Sequence, residues 1–216
     1  MWEIFTVLDF RPILLILGLL LSTLAVMMLV PAIADVVTGN PDWQVFCVAS
    51  GITLFIGVSL SLTSRAGGAS LSVRQAFILT TLSWIVLTSF AALPFAFSQL
   101  NLSFTDAFFE AMSGITTTGS TILRDLDQIP PGLLLWRALL QWLGGIGIIV
   151  MALAVMPLLR VGGMQLFRME SSELSEKAFP RAAQVAAAIT LIYAALTLIC
   201  ASLLWIAGMT GFDAVR

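Results

Sequence analysis

Residues 103–115 form an apolar stretch of about a dozen residues, flanked by two apolar segments of twice that length. A helix so short cannot cross a bilayer, which takes about 20 apolar residues. It can enter partway and return as extended backbone, but only where protein or a water-filled cavity surrounds that backbone. The return here is Ser113-Gly114-Ile115-Thr116-Thr117-Thr118-Gly119-Ser120-Thr121. Carbonyl and hydroxyl oxygens in such a strand are the groups that replace a cation's hydration water in a filter. A polar loop between helices also uses Thr, Ser and Gly, so the context has to separate the two.

That context is a membrane protein. Of the 216 residues, 59% are hydrophobic and 10% charged, with a mean hydropathy of +1.04. Soluble domains carry roughly 25% charged residues. The net charge of -2 gives no reason to expect nucleic acid as a partner. The chain has no His, and Cys47 and Cys200 are far apart in apolar segments. The common general base and metal ligand is therefore missing, and the two Cys read as small hydrophobes. No clustered acid–base or metal-ligand set suggests an enzyme.

Long apolar segments run from Ile13 to Ala34, Trp43 to Thr63, Ser72 or Val73 to Phe97, Leu133 to Leu159, and Ala182 to Gly208. The first follows a short amphipathic start (Trp2, Phe5, Leu8, Phe10) and exceeds the length of a signal-peptide core. Ser103 and Asp106 have the spacing of a capping box that opens the short helix. Phe104, Phe108, Ala111 and Ile115 then recur at helical spacing. The extended strand expected at 116–121 leads to a polar return, Arg124 to Gln128, closed by Pro130-Pro131-Gly132. With the N-terminus inside, Arg11, Arg65, Arg74, Arg160, Arg168, Lys177 and Arg181 are cytoplasmic, and Arg124, Arg137 and Arg216 lie outside. The short helix then enters from the outer face.

Phe104-Thr105-Asp106-Ala107-Phe108 has an echo in Gly211-Phe212-Asp213-Ala214-Val215, and each phrase follows an apolar segment carrying Leu-Thr (87–88 and 196–197). Weak internal similarity of this kind marks repeats in transporters. The expectation is a second unit that begins near Ala182 and breaks off, so that the chain is a fragment with poor stability on its own. The domains expected are 1–70, a two-helix extension; 71–160, a helix–pore-loop–helix unit; 161–181, a cytoplasmic loop; and 182–216, the first helix of a second unit.

Among single residues, Glu110 is an intramembrane carboxylate placed to support the strand from behind, with Ser120 as a second support. Asp106 is a helix-start residue. Gly144, Gly145 and Gly147 permit close helix packing or a bend beside the pathway. Trp136, Trp142 and Trp205 read as interface or packing aromatics.

The run Ser113 to Gly119, followed at this spacing by Gln141-Trp142-Leu143-Gly144-Gly145-Ile146-Gly147, resembles the first pore unit of the Trk/Ktr/HKT superfamily of potassium transporters. Pro157 to Arg160 and the loop around Glu170 are similar to the bacterial Trk branch, as are the first two crossings. The resemblance implies four helix–pore-loop–helix units around one pathway, each giving one filter strand. With the apolar segments above, the fold expected is an all-α integral membrane protein of five transmembrane helices plus one re-entrant pore helix and filter loop, as part of that four-fold arrangement. It also implies potassium uptake in a bacterial inner membrane, with Thr116, Thr117, Thr118 and Gly119 as filter residues and potassium at Thr116 and Thr117. The partners implied are membrane lipid, potassium, a cytosolic nucleotide-binding regulatory subunit that gates the pore, and a second copy in a homodimer; no covalent cofactor is implied. Two other readings stay open: a subunit that self-assembles four copies around a pore, and a non-conducting membrane scaffold with 113–121 as an outer loop.

Overall fold

The computed structural model describes residues 9–64, 72–159 and 178–214. The amphipathic start up to Leu8 and the basic loop at 160–177 lie outside the described residues, as do the expectations placed on them. Among the described residues, eight α-helices follow in order: α1 (Arg11–Met27), α2 (Leu29–Thr38), α3 (Trp43–Thr63), α4 (Val73–Ala91), α5 (Leu93–Phe97), α6 (Phe104–Ile115), α7 (Pro131–Leu159) and α8 (Ala178–Ile206). Five stretches of the described residues are long and apolar enough to cross a membrane: Arg11–Thr38, Trp43–Thr63, Arg74–Phe97, Pro131–Ile149 and Ala187–Ile206. Helix α6, at 12 residues, is too short to cross.

Two crossings are interrupted, and proline accounts for both. Pro31 has no N–H for the Met27 carbonyl, and the ladder interrupts at Met28 between α1 and α2. Pro94 does the same to the Phe90 turn, so the third crossing divides at Ala92 into α4 and α5. At its start, Ser72 and Gln75 form a full capping box: Ser72 Oγ accepts from the Gln75 N–H at 3.3 Å and Gln75 Oε1 from the Ser72 N–H at 2.8 Å.

Helices α1 and α3 pack backbone to backbone. A Cβ on Gly18 would lie 2.5 Å from the Gly57 carbonyl oxygen, and one on Gly57 would lie 2.7 Å from Ser22 Oγ. Small residues four apart on both helices make this approach possible, a device suited to lipid, where apolar surfaces gain nothing by merely meeting. Ser50 Oγ strengthens it by donating to the Ala25 carbonyl at 2.7 Å.

The core lies beneath the short helix. Phe46 of α3, Phe95 of α5, Ala107 and Ala111 of α6, and Trp136 and Leu140 of α7 are buried together. Trp136 meets Phe46 edge to face at 6.3 Å and donates its indole N–H to the Ala91 carbonyl at 3.0 Å, where the α4–α5 break has freed it. Trp136 is therefore a packing aromatic, whereas Trp205 is exposed. Helix α6 packs against α4, α5 and α7. Its buried face runs through Ala107, Glu110, Ala111, Gly114 and Ile115, while Phe104 is exposed, so the apolar spacing read from Phe104 identified that face only in part.

The internal echo has a structural counterpart. Ser103 Oγ accepts from the Asp106 N–H at 3.1 Å and donates to Asp106 Oδ2 at 2.8 Å. Thr210 does the same with Asp213, at 3.2 Å and 2.6 Å. The first opens α6 and the second opens a turn over 211–214, and in the first Asp106 meets the Ser103 hydroxyl rather than completing a box on the backbone. Helix α8 begins at Ala178, four residues before the expected crossing, and touches α7 through Trp142, which stacks on Tyr193 at 5.7 Å.

Candidate functional site

Ser103 starts α6, and the way the helix ends shapes everything after it. The Thr117 N–H donates to the Gly114 carbonyl at 2.9 Å and the Thr118 N–H to the Ser113 carbonyl at 3.0 Å. These two bonds form a Schellman closure whose C′ residue is Thr117, with φ +58°. Glycine usually holds that place; a β-branched residue there carries strain of about 1–2 kcal/mol. The chain therefore turns at 116–117 before it extends, whereas the sequence suggested a strand from residue 116. Gly119, with φ +79°, adds a second left-handed residue two positions on.

The hydroxyls of Thr116 and Thr118 meet at 2.8 Å, and Thr116 Oγ1 lies 2.7 Å from the Met112 carbonyl. The carbonyls of Thr116, Thr117 and Thr118 accept no hydrogen bond from a described residue, and Thr117, Thr118 and Gly119 are exposed. Beyond them the strand is fastened from behind. Ser113 Oγ donates to the Ser120 carbonyl at 2.5 Å. Glu110 is fully buried and accepts from Thr121 Oγ1 at 2.9 Å and from the Ile122 N–H at 3.1 Å. Arg137 Nε lies 2.6 Å from Glu110 Oε1, and its Nη2 donates to the Gly119 carbonyl at 2.9 Å.

Of the residues singled out in the sequence, the structure brings Glu110, Ser120 and 116–119 together. Ser120 takes part through its backbone carbonyl. Arg137 was missed, having been counted only as an outer charge. The available signal was a charged residue within an apolar helix, which needs a partner, and Glu110 is an acid in the neighbouring one.

The three glycines of α7 differ. A Cβ on Gly144 would overlap the Ile115 carbonyl oxygen and lie 2.7 Å from its carbon, so α7 presses directly on the end of α6. At Gly145 the nearest atom is the Tyr193 hydroxyl, at 3.1 Å, and Gly147 has nothing within 4 Å. Cys47 and Cys200 are free and exposed. No group of three or more His, Cys, Asp or Glu able to hold a metal occurs among the described residues.

A short capped helix, a left-handed turn and a strand pinned from behind make a half-crossing pore loop. Residues 43–215 match the model of the family described as TrkH, cation transport protein. The chain belongs to the TrkH family. It is 44% identical over 204 residues to a Trk system potassium uptake protein TrkI of Halomonas elongata, covering 94% of this chain and 42% of that one. It is 44% identical over 209 residues to the Trk system potassium uptake protein TrkH of Escherichia coli, covering 95% and 43%. The crystal structure of the potassium transporter TrkH from Vibrio parahaemolyticus superposes with a TM-score of 0.84 at 40% identity, over 96% of this chain and 42% of that chain. The chain thus spans about two fifths of the length of these TrkH-family relatives. The family resemblance read from 113–119 and 141–147 is established, and with it the all-helical, multi-span membrane fold of helix, pore helix and helix.

Proposed function

We propose that this chain supplies one wall of a gated potassium pathway, with residues 116–119 as one of four filter strands. The carrying observation is the division of labour along that strand. The carbonyls of Thr116, Thr117 and Thr118 are left open, while those of Gly119 and Ser120 are bonded to Arg137 and Ser113. Open carbonyls on a fixed backbone are what a dehydrating cation needs. Potassium is the substrate on this reading, held by oxygens of Thr116 and Thr117 together with three equivalent strands. The names of the relatives support potassium as the ion.

Permeation is passive and gated, with no bond made or broken, so the protein is not an enzyme. The N-terminus is cytoplasmic, the membrane is the bacterial inner membrane, and 116–119 face the outside. A cytosolic nucleotide-binding subunit and a second copy of the protein complete the assembly. The helix–pore-loop–helix unit is 71–160, preceded by the helix pair of 1–70 and followed by a second unit from 182; the matching hydroxyl–aspartate bonds of Ser103 with Asp106 and of Thr210 with Asp213 support that division.

The test is Gly119→Ser in the complete protein, in cells that lack other potassium uptake. Loss of uptake or weaker discrimination against sodium is expected. Unchanged uptake and unchanged discrimination, with normal protein abundance, remove the filter assignment. A scaffold with 113–121 as a plain outer loop predicts instead that a cysteine at 117 reacts freely with bulky external reagents, with no protection by potassium.

A further inference from the structure

The peptide plane between Gly119 and Ser120 is held in a way the rest of the strand is not. Gly119 has φ +79° and nothing within 4 Å of where a Cβ would stand, so no side-chain packing resists rotation there. Its own N–H reaches the Ser113 carbonyl at a long 3.4 Å, on the other side of its Cα. The Ser120 N–H donates to no described residue. One bond fixes the direction of the Gly119 carbonyl, the 2.9 Å contact from Arg137 Nη2.

Arg137 is itself rigidly placed. Its Nε is paired with buried Glu110 at 2.6 Å, and Glu110 is tied to Thr121 and Ile122. A guanidinium offers donors in a fixed planar fork, so anchoring Nε sets the direction in which Nη2 points. The pairing also cancels a positive charge that would otherwise repel cations near the strand. An ammonium at this position keeps the charge but has no second donor at a fixed angle.

We propose that Arg137 is the positioning residue for the Gly119 carbonyl, and that this single bond sets how well the strand tells potassium from sodium. The inference rests on the filter reading of 116–119 and adds a residue outside the strand to it. When the bond is lost, the Gly119–Ser120 peptide turns and the strand adapts to the smaller ion.

Potassium and sodium uptake would be compared for the complete protein, Arg137→Lys and Arg137→Gln at matched membrane abundance. Both variants are expected to lose discrimination by roughly tenfold, the scale set by one charge-assisted hydrogen bond. Equal loss in the Lys variant separates the fork from the charge. If Arg137→Lys discriminates like the parent while Gly119→Ser does not, the role of Arg137 is overturned and the filter stands. If neither substitution alters uptake or discrimination, both ideas fall. Should the Arg137 variants not accumulate, isotope-edited infrared spectra of the unmodified protein decide the matter. The labelled Gly119 carbonyl should absorb at lower wavenumber than the Thr117 carbonyl, as a hydrogen-bonded group does, and coincident bands overturn the proposal.

Discussion

Asp35 Oδ1 accepts a hydrogen bond from the backbone N–H of Gly132 at 2.7 Å, across 97 residues of chain. The acceptor belongs to the first crossing and the donor to the first turn of α7, where helix N–H groups lack partners of their own. The first crossing thus caps α7, and Asp35 is fully buried in doing so. Gly132 leaves room for it, since a Cβ there would overlap the carboxylate.

Asp35→Ala leaves that N–H buried without a partner, at a cost of roughly 1–3 kcal/mol. Asp35→Asn keeps an acceptor oxygen and should recover most of the loss. Thermal unfolding of the purified proteins in detergent checks both, and an Ala variant as stable as the parent would contradict the cap.

At Gly144 even a methyl group meets the Ile115 carbonyl. Overpacking of this kind costs about 1–3 kcal/mol, more where only backbone can yield. Gly144→Ala should reduce both membrane abundance and uptake, whereas Gly147→Ala, in open space, should affect neither. Immunoblotting of membranes alongside uptake separates the two.

Thr117 and Gly119 both have left-handed backbones and should respond oppositely to substitution. Thr117→Gly relieves a steric penalty and adds chain entropy to the unfolded state, a net gain of up to about 1 kcal/mol. Gly119→Ala introduces that penalty, a loss of about 1–2 kcal/mol. A lower unfolding midpoint for Thr117→Gly would contradict the Schellman closure.

Asp42, in the turn between the first two crossings, is buried, and burial pushes its carboxyl above the ordinary 3.8, opposed by a hydrogen bond from the Gln99 backbone. The folded protein therefore holds this proton more tightly than the unfolded one. The resulting stability is fully present below 3.8 and is lost as pH rises through the higher folded value. Asp42→Asn should flatten that part of the pH profile and be the more stable protein at neutral pH, as unfolding midpoints in acid and neutral buffer would show.

What the sequence made legible follows from length and period. Segment length identified the five crossings, and the Ser103–Asp106 spacing located the start of α6. Glu110 stood out as an acid among apolar neighbours. Partnerships between distant segments were harder to see: Asp35 with Gly132, and Arg137 with Gly119, depend on how helices lie against each other, and local spacing carries none of that. The turn at Thr117 is not legible in the sequence, because glycine marks left-handed backbone only at Gly119, while the closure uses a residue whose propensity argues against it. Tertiary fastening outweighs that local preference, since Glu110, Ser113 and Arg137 hold the strand that follows.

The contact of Gly144 with Ile115 also has a kinematic meaning. With no side chain between them, α6 and the adjoining turn of α7 mesh like parts of a keyed joint. Sliding or rolling one against the other would drive backbone into backbone. The two therefore move as one piece, and any displacement of α7 at this turn takes the end of α6 with it.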